Sequence, residues 1–233
     1  MPLPNDLRDA ANEIGPGVVA DRRDIHQHPE LAYEEKRTSA LVAARLRELG
    51  LDVRTGVGGT GVVGLLRGRA AGKTVLLRAD MDALPIREEN QTPYASRQPG
   101  VMHACGHDAH TAILLGVARV LADHRQQILG TVKFMFQPAE EGGAGALRMI
   151  EDGVLDAPTV DAAFGLHVDT ERYVGQVALR PGLAMASSDR FTITVHGKGG
   201  HAASPHRTVD PIVVGAQIVT ALQTIVSREV SPN

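Results

Sequence analysis

Short, β-branched apolar runs alternate with amphipathic stretches along this chain, and that alternation constrains its fold more than any other feature. The runs VVGLLRG (62–68), TVLLRA (74–79), TVKFMFQ (131–137) and AAFGLHV (162–168) have the length and side-chain type of strands. Between them, EEKRTSALVAARLRELG (34–50) carries Leu41, Val42, Leu46 and Leu49 at near-helical spacing and closes on Gly50, a favourable left-handed helix terminus. TAILLGVARVLADH (111–124) repeats the pattern at Ile113, Leu114, Val117, Val120 and Leu121. Strands that alternate with helices predict an α/β fold: a central, mostly parallel sheet with helices on both faces.

The polar clusters fall where each predicted strand ends or the next helix begins, the place where open α/β sheets put their sites. From about Ser187 the character changes. DRFTITVHG (189–197) alternates polar and apolar as a half-exposed strand would, and the Gly/His-rich KGGHAASPH follows. Asp210 and Pro211 then form a natural N-cap and first-turn pair for the helix PIVVGAQIVTALQTIV. We therefore expect a catalytic domain over 1–186 and the beginning of a smaller α+β domain over 187–233.

Composition excludes several function classes. The 24 Lys plus Arg against 27 Asp plus Glu leave a formal charge of −3, which disfavours a nucleic-acid-coating protein. No run of 18 apolar residues occurs, and MPLPNDLRDAANEI lacks the basic start and apolar centre of a signal peptide, so the expectation is a cytoplasmic protein with neither membrane nor nucleic-acid partners.

The single cysteine, in MHACGHDAH (102–110), cannot form an internal disulfide. Cys105 and His107 are one residue apart, so in an extended segment both side chains project from one face and converge on one point. Thiolate and imidazole are common donors to zinc and its neighbours. FQPAEEGGAG adds Glu140 and Glu141, adjacent carboxylates that point differently, so that one can bind metal while the other acts as a base. His167, at the end of the run AAFGLHV, completes a set of four candidate ligands. His103 and His110 read as supporting or surface residues. Spacing alone leaves Cys105 open as a buried small residue, a nucleophile or a ligand, and leaves the two glutamates open as a solvated helix start.

Six motifs in order, DIHQHPELAYEE (24–35), LRADMDALPI (77–86), MHACGHDAHTAILLG (102–116), FQPAEEGGAGALRMIEDG (136–153), GLHV (165–168) and HGKGGHAASPH (196–206), resemble a known superfamily. It comprises the metal-dependent amidohydrolases and exopeptidases that include aminoacylases and carboxypeptidases, and the branch is that of the hippurate hydrolases, or N-acyl-amino-acid amidohydrolases. The resemblance implies a zinc-exopeptidase-like catalytic domain, and two divalent metal ions (zinc, manganese, cobalt or nickel) held by Cys105, His107, Glu141 and His167. It implies Glu140 as general acid/base and His201, from a lid domain, as the group that stabilises the oxyanion. Asp80 sits where other branches carry an aspartate that orients a metal-bound histidine, although Arg78 stands in that histidine's place. The resemblance further implies an N-acyl amino acid or short peptide as substrate and a homodimer formed through the lid. Members of this branch are longer, with a C-terminal segment that supplies a final histidine, so on this reading the chain ends inside the lid.

Overall fold

The computed structural model describes residues 5–183 and 190–230. The chain divides into two compact units, Met1–Val174 and Gly175–Asn233. The expected boundary between 186 and 187 lies outside the described residues.

In the first unit, α1 (Asn5–Gln27) and α2 (Lys36–Glu48) lead into three strands, β1 (Asp52–Val57), β2 (Gly61–Arg67) and β3 (Ala70–Asp80). Helix α3 (His107–Asp123), strand β4 (Leu129–Gln137), the short helix α4 (Gly145–Glu151) and strand β5 (Ala162–Gly165) follow. The sheet order is β1-β2-β4-β3-β5. Strand β4 lies at its centre, and its side chains alternate between two apolar layers. Phe134 and Phe136 pack with Val42, Leu46, Leu114 and Leu115 under α2 and α3, whereas Met135 packs with Leu76, Met149 and Val154 on the opposite face. Helices therefore cover both faces, as the alternating pattern predicts.

The direction of the strands differs from a mostly parallel sheet. β3 runs parallel to both β4 and β5, but β2 is antiparallel to both β1 and β4. Two of four pairings are thus antiparallel: β1 with β2, because the short turn between them makes a hairpin, and β2 with β4, whose strands are not consecutive in the chain. β1 itself, DVRTGV, is polar and mostly exposed, the composition of an edge strand whose conformation comes from its neighbour's ladder rather than from burial. The parallel half matters for the site. Asp80, the last residue of β3, pairs with Gln137, the last of β4, so both chains leave the sheet at the same end and β5 leaves beside them.

In the second unit the expected strand over 189–197 is not formed across its described part. Residues 190–197 carry no ladder, and the isolated bridge between Lys198 and Val209 follows directly after them. Alternation identifies a surface suited to a sheet, but a strand also needs a neighbour to satisfy its backbone, and among the described residues none pairs with this segment. The helix prediction holds: α5 (Pro211–Thr224) starts with Pro211, and the Asp210 side chain accepts the Ile212 N–H at 2.9 Å. No residue of α5 is buried, and Pro211–Glu229 is long and apolar enough to cross a membrane by length and composition alone. A helix that packs inside a larger protein meets the same criterion.

Candidate metal centre

The site gathers at the end of the sheet where β3, β4 and β5 terminate. Beyond β3 come Met81 and Asp82; beyond β4 the turn 138–144 carries Glu140 and Glu141; beyond β5 comes His167. The fourth contributor is the turn before α3. Gly106 adopts φ +85°, and a Cβ there would lie 2.4 Å from Cγ2 of Val168. A glycine is required for both reasons, and it lets the turn bearing Cys105 and His107 lie directly against the segment bearing His167.

His107 is 1% exposed, and its orientation follows from its partners. The ring Nδ1 lies 2.8 Å from the Asp82 carbonyl oxygen, which can only accept, so Nδ1 carries the proton. Nε2 is left with a lone pair, buried and without a hydrogen-bond partner among the described residues. Such an atom is costly unless something electrophilic meets it. Around it stand Cys105 Sγ and a Glu141 carboxylate oxygen, all three donor atoms within 4.8 Å of one another. His167 Nε2 lies 3.9 Å from Cys105 Sγ. Glu140 is closer to solvent, its side chain 42% exposed, with Oε2 4.0 Å from His107 Nε2. The four predicted ligands and Glu140 are thus brought together. His201 belongs to the second unit, where its Nδ1 accepts the Ala203 N–H at 3.2 Å.

The electrostatics of this cluster suit a cation. Burial, with Glu141 and Glu140 alongside, pushes the Cys105 thiol up to about 12, so a thiolate here calls for a positive charge that the surrounding side chains do not supply. The same shift is opposite to what an activated nucleophilic cysteine needs. An orphaned imidazole nitrogen, a thiol, a carboxylate and a second imidazole form a donor set that fits zinc and its divalent neighbours.

Asp82 orients His107. The Asp82 carboxylate lies 3.3 Å from His107 Nδ1, and its other oxygen accepts the Glu141 backbone N–H at 2.9 Å, so one side chain aligns two candidate ligands. Burial pushes the Asp82 carboxyl up, but the His107 hydrogen bond and the backbone N–H groups of Glu141 and Glu140 together hold it below the ordinary range. Asp80 binds Arg78 through Oδ2 at 2.7 Å and His110 Nδ1 through Oδ1 at 2.6 Å, and Oδ2 also lies 3.5 Å from His107 Nε2. Burial raises its pKa, and the His110 bond and Arg78 charge outweigh that, so it too is held low. His110 Nε2 in turn accepts the Val168 N–H at 2.9 Å, which ties the His167 segment back to the end of β3. Asp80 thus pairs with Arg78, the residue that stands in the histidine's place, and the orienting role of Asp82 was not read from the sequence.

A further buried network went unseen in the sequence. Asp108, wholly buried beside His107, receives His26 Nδ1 at 2.8 Å and Arg22 Nε at 2.7 Å, and His26 Nε2 reaches Glu88 at 3.2 Å. It fastens the ligand-bearing turn to α1. The DIHQHPELAYEE motif was the available signal, but its partners lie more than 60 residues away. Next to Cys105 and His167 opens a cavity of about 530 Å³ lined also by Arg22, Tyr94, His103 and Asp169. His103 is buried, both ring nitrogens lack a hydrogen-bond partner among the described residues, and burial pushes its pKa down to about 4, so it is neutral.

Known proteins share this arrangement of sequence and fold. The chain is 48% identical over its whole length to thermostable carboxypeptidase 2 of Saccharolobus solfataricus, and 45% identical over 97% of its length to an N-acyl-L-amino acid amidohydrolase of Geobacillus stearothermophilus. It spans 59% and 61% of those two proteins. Among solved structures, the Bacillus subtilis YXEP protein, described as a dinuclear metal binding peptidase from the M20 family, superposes with a TM-score of 0.64 at 42% identity, over 68% of this chain and 44% of that one. Residues 76–232, from inside β3 through α5, match a single family description, and on these grounds the chain belongs to peptidase family M20/M25/M40.

Proposed function

We propose that this chain carries the catalytic centre of a metal-dependent amidohydrolase that cleaves the amide bond of N-acyl amino acids of the hippurate or N-acetyl kind. The observation that carries this reading is the buried, unpartnered Nε2 of His107 facing Cys105 and Glu141, with a solvent-accessible second carboxylate 4.0 Å away. Cys105, His107, Glu141 and His167 would hold two divalent ions, zinc, manganese, cobalt or nickel, which when bound supply Lewis acidity toward water and the acyl carbonyl.

Glu140 has the position of a general base. It takes a proton from the attacking water, the water oxygen bonds to the acyl carbon, the C–N bond breaks, and Glu140 returns the proton to the departing amine. Asp82 keeps the His107 tautomer fixed throughout. In this reading His201, delivered by the lid of a homodimer, donates a hydrogen bond to the carbonyl oxygen as charge develops on it.

The 48% identity to a protein named a carboxypeptidase favours short peptides as a second substrate class. Hydrolysis of hippurate, N-acetyl amino acids and dipeptides by the manganese- or zinc-loaded protein separates the two. Glu140→Gln should lower kcat by about 10²- to 10⁴-fold while metal binding persists. Full turnover in that variant would remove Glu140 as the base, and preferred cleavage of free dipeptides would replace the acyl-amino-acid assignment.

A further inference from the structure

The motif DIHQHPELAYEE contributes three glutamates that the proposed chemistry does not use, and two of them, Glu30 and Glu35, make side-chain hydrogen bonds. Glu30 has an evident local role: its two oxygens accept the backbone N–H groups of Arg37 and Thr38, each at 2.8 Å, and so close the start of α2. Glu35 occupies the cap position of that helix, but its side chain makes no capping bond. It points inward and is 0% exposed. No cationic side chain pairs with it among the described residues; its partners are the Thr60 hydroxyl on Oε2 and, at 2.8 Å on Oε1, the backbone N–H of Ala139. A carboxylate taken wholly out of water and met only by neutral donors is expensive to maintain, so its position calls for an explanation other than stability.

Ala139 immediately precedes Glu140. It holds φ +49°, a left-handed conformation that costs a residue with a Cβ and persists only where surrounding bonds impose it. The rest of the turn is equally confined: Gly145 N–H donates to the Ala139 carbonyl, the Tyr33 hydroxyl donates to the Gly143 carbonyl, and a Cβ at Gly145 would overlap the Pro138 carbonyl. On the other side, Asp82 holds the Glu141 N–H. The first half of the turn is therefore held at Ala139 and at Glu141 by two buried carboxyl groups, and the peptide units between those bonds set the directions of Glu140 and Glu141.

We propose that Glu35 is a positioning residue for the reaction, which fixes the left-handed turn at Ala139 so that Glu141 faces the metal donors while Glu140 stays free beside them. The proposal rests on the assignment of Glu140 as the base, so its test has readouts independent of turnover. Glu35→Asp keeps the carboxyl group but is one methylene too short to reach Ala139; Glu35→Gln keeps an oxygen in place of Oε1. In the metal-loaded protein, Glu35→Asp should speed hydrogen exchange at the Ala139 amide, weaken zinc binding about 10- to 100-fold through Glu141, and lower kcat by a similar factor with KM little changed. Glu35→Gln should restore all three to within about threefold of wild type. An Ala139 amide that exchanges faster in Glu35→Asp while zinc affinity and kcat stay at wild-type values would overturn the proposal, as would equal losses in both variants. Should Glu140→Gln prove active, the base assignment fails alone, and exchange and zinc affinity still decide the role of Glu35.

Discussion

Asp82 shows how much of this site depends on single side chains that touch no substrate. Its backbone carbonyl fixes the His107 tautomer, and its carboxylate spans the distance to the Glu141 N–H. Replacing it with alanine should weaken divalent-metal binding about 10- to 100-fold, measured by calorimetric titration, while leaving the four donors in place. His26 offers a pH-dependent counterpart. The hydrogen bond that His26 Nδ1 donates to Asp108 raises its pKa above 6.5 against the opposing effect of burial, with Glu88 adding to the rise. A group raised in the folded state stabilises fully below its unfolded pKa and loses that contribution as pH climbs through the higher folded value. The metal-free protein should therefore lose urea resistance more steeply than a His26→Asn variant as pH rises above 6.5, and parallel slopes would contradict the buried imidazolium.

At the scale of elements, the site is a meeting of strand ends with the first turn of α3, and Gly106 is the residue that permits the meeting. Gly106→Ala should destabilise the fold by at least about 1–3 kcal/mol and weaken metal binding, because both its positive φ and its contact with Val168 forbid a Cβ. Chemical denaturation with and without zinc would measure the two effects. Periodicity made α2, α3 and the strands β2 to β5 legible, and spacing together with motif brought out the candidate donors Cys105, His107, Glu141 and His167. Strand direction was not legible, because alternation reports which face a residue takes and carries nothing about the neighbour's polarity. The edge strand β1 was missed because its ladder with β2, not its own burial, forms it, and the role of Asp82 was missed because its contact with His107 lies 25 residues away in sequence.

The molecule as a whole consists of a first unit that contains every donor of the cluster and a second that contains His201 and α5. Because the chain spans about three fifths of relatives such as the Geobacillus amidohydrolase, the central claim is best tested on metal binding itself. Cobalt(II) titration, followed by near-ultraviolet absorption and proton release, addresses it directly. Cys105 carries its proton until a cation arrives, so binding should release that proton and develop thiolate-to-cobalt charge transfer, and Cys105→Ser should abolish both. Tight cobalt binding with no charge-transfer band, or with a band unchanged in Cys105→Ser, would contradict the account.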